Sequence, residues 1–250
     1  MADRPRRPVR TAVVHDLLSA ALEAARSEYA AAGHGLDVVD AGGGTGGFAV
    51  PLARAGHRVT VVDPSPDALA ALERRAAEAG VTERVRAVQG DAADLLDVVA
   101  AGSADAVLGH GVLEVVDDPA AAVAGMAAVL RPGGLASVLA AQRHATVLAR
   151  AAAGHLLDAR HALTDPDGRW GPGDPLPRRF DEAGLLSLLD AAGLAVREVH
   201  GVRVFTDLVP GTLVDEPGAS EALLDLETAV ASHPAFRSVA AQLHVLAVRT

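Results

Sequence analysis

The chain has 250 residues and is half hydrophobic, enough to bury the core of one full domain with a lid or small subdomain besides. Its formal net charge of -10 excludes a protein that grips nucleic acid over a broad surface, because neutralising phosphates takes clustered Lys and Arg; only a local basic patch is compatible with it. The absence of cysteine excludes a disulfide framework, a thiol nucleophile and a thiolate metal site.

The basic start MADRPRRPVR is followed by TAVVHDLLSAALEAARSEYA, an amphipathic helix pattern, rather than by an apolar run with a cleavage site; residues 1–35 read as an N-terminal cap helix. No apolar run is long enough to span a bilayer, and a cytoplasmic enzyme or binding domain is expected. Between 36 and 142 short β-rich runs alternate with Ala-rich helical stretches, the pattern of right-handed βαβ units on a parallel sheet. Strands are predicted at 36–40, 58–63, 84–89, 104–109 and 135–141, and helices at 46–55, 66–79, 92–100 and 119–130. Gly56, Gly80, Gly102 and Pro132-Gly133-Gly134 act as breakers. Residues 143–160 read as one more helix, and 161–179 as an irregular Pro-, Gly- and Asp-rich loop around Trp170, so that 143–179 forms an insertion or lid on the substrate side. A helix capped by Asp181 and Gly193 follows, then a strand at 195–205, a helix near 220–231 and a closing strand at 242–249. Two strands after the last crossover imply an antiparallel hairpin at the edge of an otherwise parallel sheet.

The stretch VVDAGGGTGG after the first strand satisfies the dinucleotide fingerprint through Gly42, Gly44 and Gly47, but this turn also suits other adenosyl ligands. Three acids select among them. Asp40 ends the first strand, where its charge would repel a pyrophosphate and complement the ammonium and sulfonium of S-adenosylmethionine. Asp63 ends the second strand, where a carboxylate accepts from ribose hydroxyls, although with Pro64-Ser65-Pro66 behind it a helix start competes. Asp91 follows the third strand and can accept from the adenine amine or simply cap the next helix. Three acids at successive strand ends, in phase with the glycine turn, point to a cationic adenosyl ligand.

VVDAGGGTGG, TVVDPSPDALAALERRA, VQGDAADL, GHGVLEVVDDP and LRPGG together resemble the motifs of class I S-adenosylmethionine-dependent methyltransferases. The resemblance implies an α/β fold with a doubly wound, mostly parallel seven-stranded Rossmann-like sheet and an antiparallel last strand, one domain over 1–250. RPVRTAVVHDLL, GVRVFTDL, EALLDLE and QLHVLAVR extend the similarity to the bacterial methyltransferases that esterify 5-carboxymethoxyuridine in tRNA. That narrower resemblance implies cofactor contacts from Arg10, from Gly42, Gly43 and Gly44, from Asp63 with its neighbour Pro64, from the Gly90-Asp91-Ala92 turn and from His110. It departs in the insertion, where HALTDPDGRWGPGD is mildly acidic apart from Arg169, with Arg178 and Arg179 following, instead of lysine-rich.

A carboxylate acceptor is ionised at neutral pH and needs a cation rather than a base. Arg203, in GVRVF, is the first candidate to hold it, against an edge-strand arginine with its head in water. Arg143 and His144 follow the fifth strand at the acceptor edge, where a charged strand-to-helix turn explains them nearly as well. Arg10 has a solvated basic tail as its alternative, His110 a base or a structural histidine, and Trp170 a ring to stack on or a loop anchor. His155 and His161 lack partners at metal-ligand spacing, and no metal is expected. The acceptor is read as a tRNA wobble-uridine carboxylate or a small carboxylic acid. The rival from another class is an NAD(P)-binding reductase, which needs a Tyr-Lys pair; the one tyrosine, Tyr29, lies far from the strand ends.

Overall fold

The computed structural model describes residues 9–29, 35–210, 212 and 218–250. Seven strands, β1 (Asp37–Ala41), β2 (Arg58–Asp63), β3 (Val85–Gln89), β4 (Ala104–His110), β5 (Leu130–Ala141), β6 (Leu194–Val202) and β7 (Gln242–Arg249), form one sheet in the order β3-β2-β1-β4-β5-β7-β6. The first five run parallel; β7 is antiparallel to both β5 and β6. The two final strands therefore form the expected antiparallel pair at the edge of the parallel sheet, with β7 against β5 and β6 outermost, and the long segment through residues 203–241 joins them in place of a tight turn.

Helices cover both faces. α1 (Val9–Tyr29), α2 (Ala49–Arg54) and α3 (Pro66–Glu78) lie on one, where Leu18, Leu22, Leu52 and Leu72 pack on Val38, Val61, Leu108 and Leu246. On the other, α4 (Pro119–Val129) and α7 (Glu182–Ala191) bury Val123, Met126, Leu185 and Leu189 against Val107, Val138 and Val245. Helix starts follow local chemistry. Ser65 accepts from the Ala68 N–H ahead of Pro66, Asp118 accepts from the Ala120 and Ala121 N–H groups ahead of Pro119, and Asp181 accepts from Gly184. Gly193 takes the left-handed conformation just past α7, at φ 76°.

Several boundaries differ from the sequence reading. Residues 92–97 form a 3-10 turn kinked at Asp94 instead of an α-helix. The Pro132-Gly133-Gly134 breaker lies inside β5 as a bulge, the register passing from Ala104↔Leu130 to Ala106↔Leu135. The single helix expected over 143–160 is two, α5 (Arg143–Ala152) and α6 (Leu156–Thr164), broken at Gly154 with φ 82°. β6 stops at Val202 because Arg203 turns to φ 60°. α8 (Ala219–Val230) and the short α9 (Pro234–Arg237) then lead into β7.

Candidate cofactor and acceptor site

The parallel strands place Asp40, Asp63, Asp91 and His110 at one edge of the sheet, above the turn from β1 to α2. Asp40 is buried at 2% exposure, and its Oδ2 has no hydrogen-bond partner among the described residues. Burial, and secondarily repulsion from Asp63, pushes its carboxyl up to about 7. Gly43 lies directly against it: a Cβ there would sit 2.4 Å from Asp40 Oδ2. A buried acid without a donor, beneath a turn whose backbone can be approached closely, fits a cationic adenosyl ligand and opposes a pyrophosphate. The third glycine of the fingerprint acts differently from the spacing. A Cβ added at Gly47 would meet nothing within 4 Å, whereas one on Gly46 would meet Leu72 Cδ1 at 2.3 Å, so Gly46 is the residue that lets α3 pack against the turn.

Asp63 shapes the turn. Its Oδ2 accepts from the Gly44 N–H at 2.9 Å and its Oδ1 from the Ser65 N–H at 2.9 Å, which fixes the carboxylate and leaves each oxygen a second lone pair for a ribose hydroxyl. Pro64 follows, its carbonyl accepting from Gln89 Nε2 at 3.3 Å. The Gly90 N–H donates to the Asp63 carbonyl at 3.3 Å, tying the third strand end to the second. Asp91 is exposed and caps the 3-10 turn, accepting from the Ala93 N–H at 2.9 Å, so its capping role is real; Ala92 beside it is buried. The side chain of Arg10, in the first turn of α1, and that of Tyr29 lie outside the described residues.

His110 ends β4 and belongs to a polar row that the sequence reading missed. Its Nε2 meets Ser137 Oγ at 2.8 Å, and the same hydroxyl meets His244 Nε2 at 2.9 Å. His244 stacks on His200 with centroids 5.7 Å apart, while Phe48 packs edge-on to His110 and stacks on His15. The register explains the row: His110 is paired with Leu139, Leu139 with His244, and His244 with His200, so three histidines share one face of the sheet. Only sheet order reveals this, since the residues are far apart in the chain. Burial, and then His15, drives His110 down to about 3, and its Nδ1 is buried without a partner among the described residues.

The acceptor candidates are spread along the same edge. Arg203 pairs with Asp207 at 2.6 Å and reaches Gln242 Oε1 at 3.4 Å, just past the end of the edge strand β6 and, by sheet order, away from the strands that carry the acidic cluster. Arg143 donates to the Pro166 carbonyl at 2.5 Å, binding α5 to the insertion loop, and its Nε has no partner among the described residues; His144 follows it, half-buried. The loop of residues 165–179 is ordered by its own charges. Arg179 forms a two-pronged pair with Asp174 at 2.6 and 2.8 Å, and Arg178 donates to the Leu113 and Val116 carbonyls beyond β4 at 3.3 and 2.8 Å. Glu114, in that same loop beyond β4, was also missed. It is 3% exposed, accepts from the Ala141 N–H with one oxygen, and keeps the other buried without a partner among the described residues; burial raises its carboxyl above the ordinary range. Among the described residues no group of three or more His, Asp or Glu is arranged to hold a metal ion, and no helix is long and apolar enough to cross a membrane.

The methyltransferase domain family matches residues 39–138, the segment from within β1 to within β5. The tRNA 5-carboxymethoxyuridine methyltransferase of Escherichia coli K12 is 30% identical over 212 residues, 85% of this chain and 79% of that one. A ubiquinone biosynthesis O-methyltransferase of Methylocella silvestris is 39% identical over 137 residues, 51% of this chain and 50% of that one. In fold, the chain superposes on magnesium protoporphyrin IX methyltransferase from Synechocystis, solved with S-adenosylhomocysteine, at a TM-score of 0.61 and 15% identity, covering 100% of this chain and 90% of that one.

Proposed function

Because the chain belongs to the S-adenosylmethionine-dependent methyltransferases, we propose that it methylates a carboxylate oxygen, carried by a modified wobble uridine of tRNA in the cytoplasm. Membership removes the nicotinamide reductase as a rival. When bound, S-adenosylmethionine supplies an activated methyl group on a sulfonium, whose departing thioether needs no acid. Asp40, the Gly42-Gly43-Gly44 turn, Asp63 with Pro64, and the Gly90-Asp91-Ala92 turn hold that cofactor, with Arg10 and His110 alongside. Residues 143–179 and the N-terminal helix cover it and exclude water. The remaining task is alignment of the acceptor oxygen, assigned to Arg203, Arg143 and His144. Arg203 must exchange Asp207 for the acceptor carboxylate, a swap of one charged partner for another.

One observation carries the choice of a carboxylate. His110, at the end of β4 beside the acidic strand ends, is pushed down to about 3 and has its Nε2 engaged by Ser137, so it is a poor proton acceptor. An acceptor that is already anionic needs none. The tRNA part is supported by the E. coli relative, which spans most of both chains.

A second reading is favoured by Glu114. Its unpartnered, buried oxygen and raised carboxyl suit a base for a hydroxyl acceptor, and relatives from ubiquinone biosynthesis are O-methyltransferases. Incubation with methyl-labelled cofactor and separate pools of tRNA and small-molecule extract decides. Label in tRNA that is released by mild alkali, with uptake falling steeply between about 50 and 200 mM salt, supports the ester on RNA. Alkali-stable label that is lost in Glu114→Gln supports the hydroxyl, and salt-insensitive, alkali-labile label in the extract moves the reaction to a small acid.

A further inference from the structure

The substrate side carries a feature that methyl transfer does not use. Trp170, the chain's one tryptophan, stands on the loop between α6 and α7, and the Arg150 guanidinium of α5 lies over its ring, 3.5 Å from the centroid. The loop is held firmly: the Trp170 and Leu176 N–H groups donate to Asp174 at 2.9 and 3.0 Å, and the Asp174 side chain, fully buried, is gripped by Arg179. The stack forms one wall of an open cleft of about 430 Å³, lined also by Thr146, Ala149, Ala153 and His155.

Arg150 keeps most of its donor capacity. Its acidic neighbour Asp158 is 3.8 Å away with both side chains partly exposed, 28% and 36%, and such a pair contributes little in water. A guanidinium backed by an indole offers a flat outer face to another ring, while its edge N–H groups reach a phosphate. Charge favours the same ligand. Every one of the 22 basic residues is an arginine, and residues 143–179 hold six of them against four aspartates and no glutamate, so this segment is positive in a chain of net -10.

We infer that this cleft is a subsite for one nucleotide of a single-stranded RNA, its base stacked on the Arg150-Trp170 platform and its phosphate held by the Arg150 edge and His155. The inference rests on the tRNA reading above and gives the nucleotides flanking the methylated one a place on the protein.

Because Trp170 is the only tryptophan, its fluorescence reports on the cleft without a label. The full chain, saturated with S-adenosylhomocysteine, is titrated with a single-stranded RNA heptanucleotide, a paired RNA duplex and uridine monophosphate. The single strand quenches saturably, with a Kd that rises steeply with salt; the duplex and the mononucleotide quench weakly. Followed by anisotropy of labelled RNA, Arg150→Met and Trp170→Leu each weaken the strand about tenfold or more, while S-adenosylhomocysteine binding stays at the parent value and reports an intact fold. If both variants bind the strand like the parent, or the mononucleotide quenches as strongly as the strand, the subsite is overturned even where tRNA still takes up label. If the parent neither binds the strand nor labels tRNA, the tRNA reading fails and the subsite with it.

Discussion

Asp40 shows how a single buried acid can set a ligand preference. Burial and Asp63 hold its carboxyl near 7, so the protonated form dominates below that pH and the charged form above it. A cationic ligand binds the charged form better. Affinity for S-adenosylmethionine is therefore expected to rise as pH climbs through about 7, with a proton released below it. Calorimetry in two buffers of different ionisation enthalpy measures that proton, and Asp40→Asn should abolish it and weaken binding roughly tenfold. Gly43→Ala tests the neighbouring contact: a Cβ 2.4 Å from the carboxylate oxygen forces a shift worth about 1–3 kcal/mol and should remove the rise in Tm that S-adenosylhomocysteine gives the parent. The positions of Asp40, Asp63 and Asp91 were legible in the sequence because a residue that ends a parallel strand must stand at the ligand edge. Their partners were not. That Asp63 clamps Gly44 and Ser65, or that Gly46 rather than Gly47 makes room for Leu72, depends on how the turn closes. Arg203 was visible as a charge among apolar residues, but its φ of 60° and its pairing with Asp207 arise from the turn that ends β6.

Among the elements, the insertion departs furthest from what its composition implies. A Pro-, Gly- and Asp-rich stretch reads as loosely held, yet residues 165–179 are organised around Asp174. Burial raises that carboxyl, but Arg179 and the Trp170 and Leu176 N–H groups outweigh it, and the net shift is below the ordinary value. Arg179→Ala leaves Asp174 charged, buried and without its cation, a loss of about 3–5 kcal/mol in urea unfolding. Removing Asp174 as well should recover part of it, and hydrogen exchange across 165–179 should speed up in the single variant more than in the double. The helical pattern over 143–160 was readable from spacing, while the break at Gly154 was not, because one glycine within a helical pattern is often tolerated.

Across the whole molecule, the histidine row couples the sheet to pH. His110, His244 and His200 are all held below their ordinary value, chiefly by burial, with Glu198 opposing the shift at His200. At these three positions the unfolded chain thus binds more protons than the folded one below about 6.5, while Asp40 and Glu114, raised in the folded state, act in the opposite sense. The histidines' contribution to stability is complete above that pH and is lost as pH drops from about 6.5 toward the folded values, by up to about 1.4 kcal/mol per pH unit for each histidine. Urea unfolding between pH 7.5 and 5 measures the slope, and His244→Gln should make it shallower. The alternation of strands and helices announced the doubly wound sheet, and the motifs placed Asp40, Asp63 and Asp91 at successive strand ends. The row itself stayed hidden because it exists only once β7 lies between β5 and β6.

That inserted strand also imposes a schedule on folding. Among the described residues β6 pairs with no strand except β7, so a segment made some forty residues earlier has nothing to zip onto until β7 arrives. Contacts that join distant parts of a chain form late. The five parallel strands can assemble as a half-open book, and α7 and β6 wait beside it until the last page is slipped in between.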